Sequence, residues 1–389
     1  MAGTTGIEWT DATWNPVTGC TRVSPGCAHC YIERTPPFRM EGRRFERVGA
    51  EDTTGVRLHP ERLDQPLRWR KPRRVFVCSL ADLFHDTVPD EFIDRVFAVM
   101  ALASQHTFQV LTKRPARALG YFTAPGCGPL GSHDAVDRIQ QRVDLLTYGR
   151  GGWRVTWPLP NVWLGVSIEN ARHTWRADVL REIPATVRFI SAEPLLGSLF
   201  PERCDASSYP ICVYGGSYAC CRALGHASLH RSEYGHGAEW DDEHVWIGRN
   251  TVGDYAAPLD LTGIDWLIAG GESGLGARPM HPEWARELRD ACLGQRGWAV
   301  AVGNGPRDPL SDETAFFFKQ WGEWAPVGGG VLPGDVCWSS DTGERYTATR
   351  DYICAPNESD GEWLRRVGKK AAGRLLDGRT WDEMPAVRP

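Results

Sequence analysis

The sequence predicts an α/β protein built as a partial or complete (β/α) barrel of the TIM type. Several short runs are almost continuously apolar, which is typical of strands buried on both faces of a parallel sheet. Segments with helical periodicity lie between them, as over 90–104, where Phe92, Ile93, Val96 and Met100 share one face. Strands that alternate with amphipathic helices indicate a parallel sheet with helical crossovers.

We count one short strand before Cys20 and about six more along the chain. Each of the later runs ends in a cluster of polar residues. These runs are RRVFVCSLADLFHD, TFQVLTKRP, NVWLGVSIEN, VRFISAEPLLG, IDWLIAGGESG and AFFFKQWGEW. Because α/β proteins place their chemistry at the carboxyl ends of parallel strands, the clusters predict a functional site there.

The barrel is expected to carry one insertion and one extension. Residues 1–200 form its first part and residues 258–330 its last part. Residues 201–257 are rich in Gly, Ser, Tyr, His and Cys without sustained periodicity, which predicts a loop-rich insertion. Residues 331–389 have their own turn signals and predict a C-terminal extension that ends in a short helix and a tail.

Composition indicates an ordinary globular protein. Of 389 residues, 42% are hydrophobic and 24% charged, which excludes a disordered or fibrous chain. No run approaches the roughly 18 apolar residues of a membrane span, and the start MAGTTGIEWTD does not resemble a signal peptide. We therefore expect a cytoplasmic protein without a membrane partner. In that reducing compartment its twelve cysteines are metal ligands or buried apolar residues rather than disulfides.

Two segments combine arginines with aromatic residues, although the net charge is −5. EGRRFER contains Arg43, Arg44 and Arg47 around Phe45, and PLRWRKPRRV surrounds Trp69 with five basic residues. Such segments can bind phosphates and stack on bases, which makes a nucleic acid a candidate partner. Alternatively, they are solvated surface segments.

Three cysteines, Cys20, Cys27 and Cys30, lie within the segment GCTRVSPGCAHCY. A structural zinc site needs four ligands. An iron–sulfur cube with three protein thiolates would instead leave one iron free for an exogenous ligand. The residues leave both possibilities open: a cluster with a vacant iron, or zinc with a fourth ligand from elsewhere, such as His85.

This cysteine segment resembles the cluster loop of the radical S-adenosylmethionine (SAM) superfamily, with Tyr31 directly after the last cysteine. The common spacing there is three residues and then two, whereas here it is six and two. The longer spacing resembles that of a phage-associated family of undefined function within the superfamily. The resemblance extends over most of the chain, apart from 201–257 and 297–313. It is carried by TGIEWTDATWNPVTGC, SLADLFHD, LTKRP, GVSIEN, SAEPLLG, GGESGLGARPMHP, FFFKQWGEW and AGRLLDGRTWDEMP.

The resemblance implies a 4Fe-4S cluster on Cys20, Cys27 and Cys30, with SAM bound to the fourth iron. An electron from a reductant such as flavodoxin or ferredoxin would then cleave SAM to a 5'-deoxyadenosyl radical, which abstracts hydrogen from a substrate. Phage association and the basic segments favour a nucleic acid or nucleotide as that substrate, with modification or repair of a base as the reaction.

The strand ends supply the expected cofactor-binding and substrate-binding residues. By analogy with the superfamily, Asp82 would bind the amino group of SAM, and Ser167 or Glu169 its ribose hydroxyls. The full expected cofactor set is Ser79, Asp82, Ser167, Glu169, Asn170, Glu193, Gly270, Gly271 and Glu272. The basic residues Lys113, Arg114 and Lys319 would bind a phosphate or carboxylate of the substrate. Alternatively, these charged residues form ion pairs or helix caps.

The insertion holds a second candidate metal site. Its Cys and His residues are Cys204, Cys212, Cys220, Cys221, His226 and His230. In a reduced compartment this density favours zinc, although the residues contain no C-x2-C pair. The alternative is a loop that covers the substrate and carries incidental cysteines.

A second class of function fits the same residues. The chain would then be a non-catalytic module that binds nucleic acid or acts in phage defence, with zinc or a structural iron–sulfur cluster. Iron content and SAM cleavage separate this hypothesis from the enzyme.

Overall fold

The computed structural model describes residues 5–123, 135–200, 258–294, 314–327, 330–338, 345–349 and 362–386, and the backbone of two short strands within 246–251. Its centre is a seven-stranded sheet in which the strands follow one another in chain order. These strands are β1 (Ala12–Trp14), β2 (Arg74–Val77), β3 (Thr107–Thr112), β4 (Val162–Ser167), β5 (Val187–Ala192), β6 (Trp266–Gly270) and β7 (Ala315–Gln320).

All neighbouring strands of this sheet run parallel. The sheet is curled into a half-barrel, and β1 and β7 are its two ends. The prediction of one leading strand and six more is therefore confirmed, and the barrel is partial rather than complete.

In the described part of the chain, six helices lie in crossovers between the strands: α1 (Pro36–Met40), α2 (Asp90–Leu102), α3 (Pro115–Thr123), α4 (Ala135–Thr147), α5 (Trp175–Glu182) and α6 (Pro282–Cys292). A further helix, α7 (Lys369–Ala372), follows β7. The predicted helix over 90–104 is α2. Asp90 and Glu91 lie in its first turn, where acidic side chains interact favourably with the helix dipole.

The two faces of the sheet carry different side chains, because successive residues of a strand point to opposite sides. In β4, Val162, Leu164 and Val166 join the large core beneath the helices. Trp163 points to the other face, where it belongs to an aromatic cluster. The core of that cluster is Trp9, Phe76, Trp163, Val187, Phe189, Trp266, Ile268 and Phe317. Towards the carboxyl ends, the same face carries the small residues Gly165, Ser167 and Ser191.

The C-terminal tail completes the open edge of the sheet. The Phe318 amide donates to the Trp381 carbonyl at 2.9 Å, and the Trp266 indole donates to the Glu383 carbonyl at 2.9 Å. Asp382 forms an antiparallel bridge with Phe317 of β7. The tail thus protects the backbone of the edge strand.

The described residues also form small antiparallel sheets that are separate from the central sheet. Val17–Thr18 pairs with Arg57–Leu58, and Glu46–Val48 with Glu51–Thr53. A four-stranded sheet contains, in order, Trp324–Val327, Trp363–Arg366, Val336–Trp338 and Arg345–Thr347, and Trp246–Ile247 pairs with Asn250–Thr251. Single 3-10 turns occur at Pro25–Cys27, Tyr31–Arg34, Pro60–Arg62, Pro66–Arg68 and Ala171–His173.

Among the described residues, we find no helix whose length and apolar character would suffice to span a bilayer.

Candidate functional site

The cysteine loop, residues 19–31, lies across the carboxyl ends of the strands. The Gly19 amide donates to the Leu80 carbonyl at 2.9 Å, and the Tyr31 hydroxyl donates to the Ser79 carbonyl, both just after β2. The Gly26 amide donates to Glu169 Oε1, after β4, at 3.3 Å. The cysteine loop therefore contacts the segments that follow β2 and β4.

Gly19 has to be glycine for this loop to form. Its φ is +95°, and a Cβ atom here would stand 1.8 Å from the Gly55 carbonyl oxygen. The close approach of the segment around Gly55 therefore fixes where the cysteine loop starts.

Glu169 is a fully buried carboxylate surrounded by cations. Its Oε2 accepts from Arg176 Nη1 at 3.0 Å and lies 3.7 Å from Lys113 Nζ. His173 Nδ1 lies 3.9 Å from Oε1. Burial raises the pKa of Glu169, but the charges of Lys113 and Arg176 outweigh it and hold the pKa far below its usual range. Glu169 is therefore ionised, and its interactions with Lys113 and Arg176 stabilise the structure around it.

Lys113 has unused hydrogen-bonding capacity. Its ammonium nitrogen is buried and has no hydrogen-bond partner among the described residues, although the side chain as a whole is 18% exposed. A buried ammonium group without hydrogen bonds is costly, and such groups in proteins usually face a ligand, ion or water. Of the three predicted substrate-binding cations, Lys113 is the one whose charged group makes no hydrogen bond at all among the described residues.

Asp82 holds the end of β3. It accepts from the Thr112 hydroxyl at 2.8 Å and from the Lys113 amide at 2.9 Å, and it pairs with Arg114 Nη1 at 3.4 Å. The Phe84 amide also donates to it, at 3.0 Å. Both carboxylate oxygens are thus used within the protein, so Asp82 positions Lys113 and Arg114.

The cations of the strand ends act on the thiols of the cysteine loop. Arg114 Nη1 lies 3.8 Å from Cys20 Sγ, and its Nη2 donates to the Thr21 carbonyl at 3.1 Å. Lys113 favours the thiolate of Cys30 by its charge, and Cys27 in turn favours the charged guanidinium of Arg176. If the thiols ionise, the cysteine loop therefore becomes negatively charged and faces positively charged residues at the strand ends.

Cys20 and Cys30 are nevertheless protonated in this arrangement. Burial raises the pKa of Cys20 to about 12, against the opposing effect of Arg114. Burial likewise raises the pKa of Cys30 to about 11, against the Ile32 amide and Lys113. All three cysteines are free of disulfides. Ionisation would require additional positive charge at the loop, such as a metal supplies.

Glu272, after β6, is tied to the cysteine loop. It accepts from Arg278 Nη2 at 2.6 Å and from His29 Nδ1 at 3.1 Å. Arg278 also donates to the Pro25 carbonyl at 3.0 Å, so the guanidinium connects Glu272 to the segment before Cys27. Glu272, which we predicted to bind the cofactor, therefore stabilises the cysteine loop through these contacts.

Glu193 and Lys319 form an ion pair at the ends of β5 and β7. Lys319 Nζ donates to both carboxylate oxygens, at 2.7 and 2.8 Å. The alternative of ion pairing is thus the one that the structure shows for Lys319. Gly270 packs beside the pair, since its Cβ position is 3.5 Å from the Glu193 carboxyl group.

Gly271 is required by the chain itself. A Cβ atom there would stand 2.0 Å from the Trp321 carbonyl oxygen, where the segments after β6 and β7 run side by side. Gly271, which we predicted to bind the cofactor, is thus closely approached by the protein's own backbone.

The remaining predicted cofactor residues divide into two groups. Ser167 is buried on the aromatic face of the sheet, where Ser191 of the next strand is its register partner. Ser79 donates to Asn15 Oδ1 at 3.2 Å, and Asn170 caps the turn Ala171–His173 through the Arg172 amide. Asn170 and Ser79 therefore serve local structure.

The zinc alternative does not fit His85. Its Nε2 bonds the Thr21 hydroxyl at 2.9 Å and its Nδ1 the Thr87 hydroxyl at 3.0 Å, so both ring nitrogens are in use. The second candidate site, Cys204, Cys212, Cys220, Cys221, His226 and His230, lies outside the described residues.

With the geometry established, the family of the chain can be stated. A family model, "Protein of unknown function (DUF5131)", matches residues 4–385. The chain belongs to the DUF5131 family. No curated protein matches it, and no solved structure does.

The predicted membership of the radical SAM superfamily and its phage-associated family is wrong. The family that matches has no described function. In the part of the DUF5131 chain that the structure describes, moreover, no three His, Cys, Asp or Glu side chains are arranged to hold a metal ion. The cysteine spacing suggested that the sulfur atoms share one centre, but their neighbours are protein groups. Cys20 Sγ lies 3.5 Å from the Thr21 carbonyl and Cys27 Sγ 3.8 Å from the Ser24 hydroxyl.

Several residues of this DUF5131 site were not predicted. Arg176 on α5 and His173 surround Glu169, and Arg278 links Glu272 to the loop. Cys78, directly after β2, is buried with a φ of 58°, which is rare for a residue other than glycine. The segment ENARHTWR contains Arg176 nine residues after the end of β4, and this basic residue close to the strand end is the signal that could have identified it.

The two basic segments of the DUF5131 chain lie in different places. PLRWRKPRRV leads into the amino end of β2, at the sheet edge opposite the cysteines. Arg43 of EGRRFER is largely buried, where it stacks on Phe38 and donates to the Thr18 hydroxyl at 3.1 Å. Arg44 and Arg47 are exposed near the loop.

Proposed function

We propose that the carboxyl edge of the sheet is the active site of an enzyme, in which Cys20, Cys27 and Cys30 bind a cofactor as thiolates. The observation that carries this proposal is the position of the cysteine loop beside the cations of the strand ends: Arg114 Nη1 lies 3.8 Å from Cys20 Sγ, and the buried ammonium of Lys113 has no hydrogen-bond partner among the described residues. Cations are costly to bury unless anions accompany them.

The charge balance of this edge supports an anionic occupant. Three cations, Lys113, Arg114 and Arg176, face two buried carboxylates, Asp82 and Glu169, so the positive charges outnumber the buried negative ones by one. Lys113 shares Glu169 with Arg176 and its ammonium makes no hydrogen bond with the described residues, so its charge is the least well neutralised of the three. Ionised thiols with a bound cofactor would supply the missing negative charge.

The donor set suits an iron–sulfur cluster in its chemistry. Three free thiols without a fourth cysteine in the loop equal in number the ligands of a cluster that keeps one iron open. Binding would bring the three sulfur atoms together, since they are not arranged around one centre here, and the cluster would supply one-electron transfer. The residues fit zinc less well, because a structural zinc site needs four protein ligands and both ring nitrogens of His85 are hydrogen-bonded to threonines.

The residues of the chain would orient this centre. Tyr31 anchors the end of the cysteine loop at Ser79, and Arg278 anchors its middle at Pro25. Lys113 retains donors for the carboxylate of a small ligand, and Glu193 could exchange Lys319 for the ammonium group of that ligand. An amino-acid ligand such as SAM has both groups.

SAM cleavage and a nucleic-acid or nucleotide substrate stay predictions within this proposal. They are tested by incubating the reduced, reconstituted protein with SAM and measuring 5'-deoxyadenosine. Release of that nucleoside supports the predicted reaction. A protein that holds metal without cleaving SAM would instead favour the non-catalytic module.

The cysteine variants test the cofactor site itself. We expect that reconstitution with iron and sulfide under anaerobic conditions gives visible absorbance to the wild type, and that Cys20→Ala, Cys27→Ala and Cys30→Ala each lose most of it. Cys292→Ala is the matched control, because Cys292 is a buried thiol of the core beneath α6. Equal absorbance in Cys27→Ala and the wild type would overturn the proposal.

A further inference from the structure

A cluster of exposed cations lies beside the cysteine loop and has no use in the chemistry above. Arg34 and Arg366 form its centre, and the exposed Lys370 follows Arg366 by four residues in the chain; we call the three residues the basic rim. Arg34 Nη2 donates to the Leu275 carbonyl at 2.7 Å, and Arg366 Nη2 donates to the Gly274 carbonyl at 3.2 Å. Two guanidinium groups from distant parts of the sequence thus meet at adjacent carbonyls.

The rim has few carboxylates to balance it. Glu323 lies 4.0 Å from Arg366 and is also bonded to the Gly274 amide at 2.9 Å. Within the described ranges, neither Arg34 nor Lys370 forms an ion pair. Like charges held this close repel one another unless an anion joins them, and the net charge of the whole chain, −5, makes a positive patch unusual.

Apolar groups are exposed in the same place. Leu275, at the tip of the loop between the two arginines, is 77% exposed, and the Tyr31 ring is 49% exposed. Val367, between Arg366 and Lys370, is 39% exposed. Cations interleaved with exposed aromatic and aliphatic groups suit an unpaired strand of nucleic acid, whose phosphates and base faces are accessible together.

We propose that the basic rim of Arg34, Arg366 and Lys370 binds the phosphodiester backbone of a single-stranded nucleic acid and brings it to the cysteine loop. This inference rests on the proposed function, because it names the substrate class of that site. Arg34 follows Cys30 by four residues, so a strand bound at the rim lies beside the proposed cofactor. Leu275 and Tyr31 would contact the bases.

Binding is measured by fluorescence anisotropy with a labelled single-stranded oligonucleotide over a series of salt concentrations. We expect Arg366→Gln/Lys370→Gln to weaken binding about tenfold and to reduce the slope of log K against log salt by about one to two. Arg366→Lys should restore much of the affinity, because a point charge still attracts phosphate. The Lys370 side chain forms no hydrogen bond or ion pair with the described residues, so Lys370→Gln alone separates loss of binding from loss of folding.

The matched control is Arg154→Gln, an exposed arginine close to Asn161 at the amino end of β4. It should leave both affinity and salt dependence unchanged. The rim is overturned if the wild type does not bind at low salt, if the rim variant binds as the wild type does, or if inorganic phosphate competes as well as the oligonucleotide.

The same preparations are analysed for iron, so that the two proposals fail separately. Rim-dependent binding by a protein that takes up no iron would contradict the cofactor site and leave the rim as a nucleic-acid site. Iron uptake with binding that the rim variants do not change would overturn the rim and leave the cofactor site.

Discussion

The ammonium nitrogen of Lys113 lies 3.7 Å from Oε2 of Glu169, and the carboxylate is completely buried. Lys113 follows β3 and Glu169 follows β4, so this contact joins two neighbouring strand ends. Arg176 adds a second cation to the same oxygen, at 3.0 Å. The pair of strand ends is thus held by one carboxylate, next to the thiols.

Replacement of Glu169 by glutamine should strongly destabilise the fold. Glu169→Gln preserves the shape but leaves Arg176 and Lys113 buried without a counter-charge, which costs about 3 kcal/mol or more in the free energy of unfolding. Urea denaturation measures the loss. Glu182→Gln is the control, since Glu182 is exposed, and its effect should stay within about 0.5 kcal/mol.

The effect of this substitution should depend on pH. The pKa of Glu169 is lowered in the folded protein, so its stabilising contribution is complete above the unfolded pKa of about 4.3 and is lost as the pH falls below it. The difference in unfolding free energy between wild type and Glu169→Gln should therefore be constant from neutral pH to about 5 and shrink in more acidic solution. A difference that grows on acidification would contradict this account.

His173 should remain neutral in weakly acidic solution. Burial lowers its pKa to about 4, although Glu169 opposes the shift. Because the unfolded residue titrates near 6.5, the folded state loses stability as the pH falls from about 6.5 towards 4. NMR titration of the imidazole should show no protonation at a pH of about 5.5, and a midpoint near 6.5 would show that the ring is solvated.

Gly271→Ala should destabilise the protein by about 3 kcal/mol, because the new methyl group would overlap the Trp321 carbonyl, 2.0 Å from its position. Thermal unfolding and denaturant titration measure this change. Gly120 in α3 provides the control, since a Cβ atom there meets nothing within 4 Å. Gly120→Ala should be neutral or stabilising by up to about 1 kcal/mol. Equal effects of the two substitutions would show that the contact with Trp321 is relaxed in solution.

The strands and the edge that holds the site could be predicted from the sequence, because they depend on local patterns. Near-continuous apolar runs such as VWLGVS become β4, and the polar residues that follow it reach the carboxyl edge. Glu169 is therefore found at the edge, as expected from its position in the chain.

The partners of those residues could not be predicted, because they depend on how distant segments meet. Nothing in LTKRP shows that Asp82 would hold the segment and direct Lys113 towards Glu169. Likewise, the glycines of GGESG indicated a close approach, but only the structure shows that the Trp321 backbone makes it. The cysteine spacing led to the prediction of the wrong family.

Arg278→Ala should loosen the cysteine loop. The guanidinium connects Glu272 with the Pro25 carbonyl, and its loss removes the connection between the segment after β6 and the residues before Cys27. We expect faster amide hydrogen exchange at Cys27 and Cys30, with little change in the sheet. Arg172→Ala, at an exposed arginine, serves as the control. Unchanged exchange in the loop would show that other contacts suffice to hold it.

The most direct test of the central claim is the iron and acid-labile sulfide content of the anaerobically reconstituted protein. If Cys20, Cys27 and Cys30 bind one cluster beside the cations of the strand ends, the wild type should contain about four iron atoms and about four sulfide ions per chain. The triple alanine variant should contain almost none. A wild type without iron, or a triple variant with the same iron content, would contradict the claim.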